Sequence, residues 1–307
     1  MRESNSELAW QSKAVLLLVV PWTAISVLVQ GYWWATHAPV VALETLGIST
    51  IFGLVVWRLR AATPAGAATG AAITASLMFS TVQYPYEWSW LHGGLIPLLA
   101  VFLLTFVATK IGRARKERLG TAESRRGRNA AQVAANLGVA ALVASLPLQP
   151  LGSHTFSIHH RWPFGFFMAI IALSEAAADT VSSEIGQVFG GEPRIITTWR
   201  RVEKGTDGGI TLAGTLAGAG ASLTVMLVGI WSFRGARSPE ALDSILIGAI
   251  GGIFGLLFDS FLGATFERRG WLNNDAVNFL STLSSLTAAT AMMVAILFAE
   301  WFPRLRF

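Results

Sequence analysis

Apolar stretches of membrane-spanning length follow one another along the whole chain, separated by polar loops in which the basic residues collect. A helix needs about 20 mostly apolar residues to cross the hydrocarbon core, and within lipid each segment must satisfy its own backbone hydrogen bonds. Nine stretches fit that requirement: 14–34, 40–59, 63–82, 93–110, 129–148, 162–186, 208–232, 241–264 and 275–300. The third is rich in Ala and Gly from Pro64 to Gly70 and admits a re-entrant reading. The ten-residue alternation of transmembrane β-strands is absent. Charged residues make up 13% of the 307, against about a quarter in soluble domains, and the deficit runs the full length. The expected fold is therefore all-α: a polytopic transmembrane helix bundle of about nine spans, with residues 1–307 forming one domain. No tandem repeat or low-complexity linker divides it.

The basic residues orient the bundle. With the N-terminus cytoplasmic, the inner segments hold Arg2 and Lys13, Arg58 and Arg60, the run from Lys110 to Arg128, the Arg194–Lys204 loop, and Arg268 with Arg269. The outer side keeps Arg161, Arg234, Arg237, Arg304 and Arg306. This asymmetry follows the positive-inside rule and predicts an outer C-terminus, in a protein of the bacterial inner membrane. The isoelectric point near 10.1 is thus a property of loops facing anionic headgroups, and no nucleic-acid partner is expected. Trp33, Trp34, Trp57, Tyr84, Tyr86, Trp88, Trp90, Trp162, Trp231 and Trp301 fall near span ends, as interfacial aromatics do. The absence of cysteine excludes disulfides, thiol catalysis and thiolate-bound zinc. No cleavable signal is expected, since the first span lacks a small-residue cleavage site. The four-residue glycine spacings Gly66/Gly70, Gly214/Gly218, Gly248/Gly252 and Gly251/Gly255 read as close helix packing.

The sixth span is anomalous. Glu175 and Asp179 lie four residues apart and share a helix face; Glu184 follows near the membrane surface. A carboxylate at the bilayer centre costs at least about 2.5–3.5 kcal/mol, so an acid pair there points to function. The two negative charges repel, and a hard divalent cation bound through oxygen, Mg²⁺, would relieve the repulsion. Asp259 places another acid inside the eighth span, and Asn278 opens the ninth.

Beyond the acid helix runs a loop carrying Arg194, Thr197, Thr198 and Lys204, then Gly205-Thr206-Asp207-Gly208-Gly209 leading into the seventh span. Free amides in such a turn, next to a helix N-terminus, suit an anion. The spacing is not that of a P-loop. Arg128, Gln132 and Asn136 recur every four residues from the basic loop into the fifth span, forming a second anion-facing stripe. His154, His159 and His160 read as solvated loop histidines on the opposite side.

These stretches resemble a known family, the integral-membrane phytyl-phosphate kinases and their long-uncharacterised membrane relatives. The resemblance is carried by Arg126–Asn136, by Ala178-Asp179-Thr180 through Ser183-Glu184-Ile185-Gly186, and by Pro193–Thr198. It continues through Gly205–Gly209 to Gly214-Thr215-Leu216, in Phe258-Asp259-Ser260 through Gly263-Ala264, and at Asn278. The helix-then-basic-turn layout is more loosely similar to CTP-dependent polyprenol and dolichol kinases and to CDP-lipid synthases. Val181-Ser182 and Glu203-Lys204 depart from the family pattern, which often has Trp and Pro there. The resemblance implies a nucleotide-dependent kinase, with CTP as co-substrate and Mg²⁺ as cofactor. It would convert an isoprenyl monophosphate to the diphosphate at the cytoplasmic membrane face. Asp179, Lys204, Asp207 and Asp259 are then the expected catalytic residues, and Glu175, Asp179, Glu184 and Asp259 the metal ligands. Arg128, Gln132, Asn136, Arg194, Thr197, Thr198, Gly205, Thr206, Gly208, Gly209 and Asn278 would hold the phosphates. The rival class is a secondary transporter that uses the buried acids for ion coupling.

Overall fold

A computed structural model of the chain describes residues 9–82, 93–145, 164–232 and 240–301, with backbone alone at Glu240, Glu300 and Trp301. The outer-loop histidines, Tyr84, Tyr86, Trp88, Trp90, Trp162 and the basic residues assigned to the outer side lie outside these residues.

Nine long helices occur among the described residues: α1 (Trp10–His37), α2 (Pro39–Arg58), α3 (Pro64–Thr81), α4 (Leu95–Lys110), α6 (Ala130–Ala144), α7 (Phe164–Phe189), α8 (Leu212–Ser232), α9 (Glu240–Leu262) and α10 (Asn274–Trp301). A short α5 (Arg113–Leu119) follows α4, and α9 runs on into a π-helical turn, Gly263–Glu267. A two-stranded antiparallel ribbon, β1 (Arg194–Ile195) with β2 (Gly209–Ile210), joins α7 to α8. The protein is an all-α polytopic membrane protein. Among the described residues six helices are long and apolar enough to cross a bilayer alone, and the count is seven if α4 and α5, bent by 64°, are taken together as one span.

α3, the segment that admitted a re-entrant reading, and α6 both pack inside the bundle. α3 is one unbroken helix. Pro64 occupies its first turn, where no N–H is needed, and the Thr63 hydroxyl accepts from the Gly66 amide at 3.2 Å. Its lower apolarity matches its surroundings, because Ser76 bonds Ser26 of α1 at 3.0 Å and Gln30 reaches Ser80 at 2.8 Å.

The order of layers follows from which faces are apolar all round. In the most apolar window of α7, 83% of residues are buried, against 22% in α1 and 28% in α2. α7 is the central post. α1 and α2 are outer staves, whose Leu17, Leu28 and Leu43 face outward. Trp34 is an exception to the interfacial reading: it is buried, and its indole donates to Phe79 O at 3.3 Å.

Small residues let α8 and α9 close on α7. A Cβ at Gly218 would stand 2.7 Å from Ala178 O, and one at Gly252 2.5 Å from Ser174 Oγ. The spacings Gly214/Gly218, Gly248/Gly252 and Gly251/Gly255 are therefore packing sites, as expected, whereas a Cβ at Gly70 would meet only Val133 Cγ1 at 3.8 Å.

The helices alternate in direction, and their polar ends meet. Gln11 at the start of α1 bonds Trp271 O, and Arg128 N bonds Ala61 O. Arg115 bonds Val188 O, and Lys204 bonds Gln187 O. The described basic segments assigned to the inner side thus gather at one end of the bundle.

Candidate functional site

At that end, the helix termini enclose a polar cleft of about 300 Å³. α6 supplies Gln132 and Asn136, with Arg128 just before it. The last three turns of α7 supply Asp179 and the polar face beyond it. Lys204 and Gly205–Gly209 form a side wall; Asp259, the π-helical turn and Asn278 form the other.

Local geometry explains these placements. Asn129 and Gln132 close a reciprocal capping box, with Gln132 N to Asn129 Oδ1 at 3.0 Å and Asn129 N to Gln132 Oε1 at 2.8 Å. This starts α6 abruptly and sets the preceding Arg128 at the cleft wall. Arg128 donates to Thr180 Oγ1 at 3.2 Å and approaches Glu123 at 3.8 Å, so much of its five-donor guanidinium remains available.

The loop after α7 folds back through the ribbon and delivers its glycine turn against α9. Gly208 has φ +73°, and a Cβ there would lie 2.4 Å from Ala264 N. Only glycine allows both the left-handed backbone and this contact. The amides of Thr206 and Gly209 bond back within the turn, to Glu203 O and Thr206 O. Those of Gly205, Asp207 and Gly208 donate to no protein acceptor among the described residues. Lys204 donates to Gln187 O at 2.9 Å. Burial, and after it the neighbouring Arg115 guanidinium, holds its ammonium below the usual lysine range.

The acids divide into three kinds. Asp179 lines the cleft and takes no hydrogen bond among the described residues. Asp259 lines it too, and its buried Oδ1 has no hydrogen-bond partner. Glu175 does not reach the cleft. It lies one helical turn deeper, where it accepts from Ser281 Oγ at 2.8 Å and from the Thr282 hydroxyl. Glu184 reaches the cleft wall, but its carboxylate is held by buried Lys116. The metal set read from the sequence is corrected accordingly: Glu175 is sealed into α10 and Glu184 is ion-paired, leaving Asp179 and Asp259 facing the space.

Lys116 was hidden in a run read as headgroup contacts. It is 1% exposed, and it also donates to Ala108 O at 3.1 Å and Thr109 O at 2.9 Å, capping the end of α4. Glu267 was also missed. The π-helical turn extends α9 past its expected end and brings Glu267 into the cleft; such single π turns recur at functional sites.

Arg194, Thr197 and Thr198 go the other way. Strand alternation buries Ile195 and turns Arg194 outward, where it donates to Trp199 O at 3.0 Å. Thr197 and Thr198 stand exposed at the ribbon tip, away from the cleft.

The donor set facing the cleft is oxygen only. Among the described residues no three His, Asp or Glu side chains converge to hold a metal by themselves. Mg²⁺ in nucleotide sites takes one or two carboxylates, with phosphate and water completing its shell. Asp179 and the orphaned Asp259 oxygen fit that pattern.

No solved structure matches the chain. Relatives by sequence include an uncharacterized membrane protein of Methanocaldococcus jannaschii, 37% identical over 62% of this chain and 71% of the relative. Protein VTE6, chloroplastic, of Arabidopsis thaliana is 34% identical over 64% of this chain and 57% of its own length. Protein PGR, also of Arabidopsis thaliana, is 30% identical over 64% of this chain and 81% of its own. Residues 47–286, which carry every wall of the cleft, match the family described as integral membrane protein DUF92, and the chain belongs to that family.

Proposed function

We propose that the chain is a membrane kinase that transfers a phosphoryl group from a nucleoside triphosphate, CTP in the first instance, to an isoprenyl monophosphate. The observation carrying this reading is a cleft that gathers Asp179, which takes no hydrogen bond among the described residues, and Asp259, with its unsatisfied Oδ1, together with a glycine turn with free amides, Lys204 and Arg128. The motif resemblance to phytyl-phosphate kinases points to the same chemistry. A cleft gathered at the polar end of the bundle also suits a headgroup reaction better than transport through the middle.

Asp179 and Asp259 would hold Mg²⁺, with Glu267 close by. Bound there, the ion would neutralise charge on the nucleotide phosphates. Lys204 and the amides of Gly205, Asp207 and Gly208 would receive the nucleotide's terminal phosphates, with Thr206, Gly209 and Asn278 lining that space. Arg128, Gln132 and Asn136 would orient the lipid phosphate. An oxygen of the lipid phosphate attacks the γ-phosphorus. The bond to the β,γ-bridging oxygen breaks, and the nucleoside diphosphate leaves with the electron pair. A phosphate monoester is already anionic, so the site needs positioning and charge stabilisation more than a base. Asp207, on the glycine turn, sits where it would orient the transferring group.

The test is purified protein incubated with Mg²⁺, each γ-labelled nucleotide and a panel of isoprenyl monophosphates. The expected product is labelled isoprenyl diphosphate. Folded protein that yields none with any nucleotide would defeat the proposal.

A further inference from the structure

A second, mostly apolar groove lies between α2 and α4, with α3 and α6 as its floor. It meets the polar cleft at a shared wall, because Glu123, Arg128 and Asn136 line both. From this continuity we infer that the groove is the seat of the substrate's prenyl chain, whose phosphate passes Arg128 into the cleft. The inference rests on the lipid-phosphate reading above and adds the path of the chain.

Three features support this occupant. First, the floor is kept open by small side chains. A Cβ at Gly70 would meet only Val133 Cγ1, in ordinary contact at 3.8 Å, so the glycine leaves room above α3 that a larger side chain would take up. Second, the walls are aromatic and aliphatic. Phe52 and Phe102 meet edge to face at 5.3 Å, and Phe102 stacks on Phe106 at 5.5 Å. α2 leans on α3, and α4 on α7 and α8, so α2 and α4 face each other across the groove, with Phe52 and Phe102 bridging them. Third, the polar end of the groove is cationic, with Arg60, Lys110 and Arg113 beside Arg128. An apolar trough ending in guanidinium and ammonium groups complements a hydrocarbon chain with an anionic head. The 3.8 Å approach of Glu123 to Arg128 is loose enough for a phosphate to displace it.

The experiment uses the full-length protein in lipid nanodiscs and geranylgeranyl monophosphate carrying a photoreactive diazirine at the chain end, with labelled peptides mapped by mass spectrometry. Labels should fall on α3 and α4, around Gly70 and Phe102. Unlabelled geranylgeranyl monophosphate should compete them away, and phosphatidylglycerol should not. Gly70→Leu, which fills the floor, should weaken labelling roughly tenfold, the effect of keeping about two chain carbons out of an apolar site. Phe102→Ala removes a wall instead of filling the floor, and it should also weaken labelling if Gly70→Leu does not fold. Labels on α9 or α10, labelling indifferent to both variants, or equal competition by phosphatidylglycerol would overturn the groove assignment. The two readings separate cleanly. Diphosphate formation with labels elsewhere sinks only the groove, whereas correct labels without turnover under any nucleotide sink only the kinase.

Discussion

Lys116 offers a test of the fold that does not depend on any activity. Its ammonium is 1% exposed and reaches three acceptors: the Glu184 carboxylate, Ala108 O and Thr109 O. Lys116→Met keeps most of the side-chain volume and removes the charge, leaving a buried carboxylate without its counter-ion. Breaking a buried pair from one side costs about 3–5 kcal/mol, a large share of a net stability of about 5–15 kcal/mol. Glu184→Gln should cost less, about 1–3 kcal/mol, because the ammonium keeps its two carbonyls and an amide oxygen. Pairing Lys116→Met with Glu184→Gln leaves no charge behind and should recover at least half the loss of Lys116→Met alone. The assay is reversible unfolding in mixed micelles, followed by far-ultraviolet circular dichroism, for all four proteins of the cycle. The reasoning fails if Lys116→Met costs no more than a surface ion pair, about 1 kcal/mol or less. It fails equally if the double variant loses the sum of its singles.

Asp179→Asn and Asp259→Asn keep shape and remove charge; each should lower phosphoryl transfer by orders of magnitude with unfolding unchanged, and normal turnover with an unaltered Mg²⁺ titration would eliminate the metal role. Gly208→Val should cost roughly 2–5 kcal/mol, from positive φ at about 1–2 and overpacking against Ala264 at about 1–3. Lys204→Ala should cost nucleotide binding about 1.5–3 kcal/mol, whereas Gly208→Val displaces the turn whose amides receive the phosphates, so binding measured side by side should be worse for Gly208→Val. The lowered Lys204 pKa gives two opposite pH trends. Between that pKa and the ordinary lysine value the unfolded chain binds more protons, so stability without ligand should rise with pH there. Anion binding should fall across the same interval as the ammonium is lost, and Lys204→Arg should abolish the fall; a pH-independent affinity in the parent protein would contradict the assignment.

Helical periodicity carried most of the cleft into view from the sequence. Asp179, Asp259, Arg128, Gln132, Asn136, Lys204, Gly205–Gly209 and Asn278 were all singled out by polarity inside or beside apolar spans, and they converge. Periodicity has no depth scale across different helices, however. Glu175 shares the Asp179 face but sits a turn below it, and only the hydroxyls of α10 show that this turn is sealed. Arg194, Thr197 and Thr198 were placed by composition, whereas their direction is set by a two-residue ribbon too short to show as a strand pattern. Lys116 and Glu267 were invisible for a different reason. Each stands in a basic stretch whose charge is accounted for by topology, and its burial depends on a bend between α4 and α5 or on a π turn.

The enclosure of α7 also has a consequence in time. Glu175 finds its hydroxyl partner 106 residues further along the chain, in α10. At about 5–20 residues per second, roughly 5–20 s of synthesis separate the carboxylate from that partner. Throughout that interval the post around which the bundle is assembled carries Glu175 and Asp179 and has the lowest mean hydropathy, 1.5, of the six helices that could cross a bilayer alone among the described residues. The nascent chain must therefore keep α7 sheltered, at the insertion machinery or against the helices already laid down, until α10 arrives to close over it.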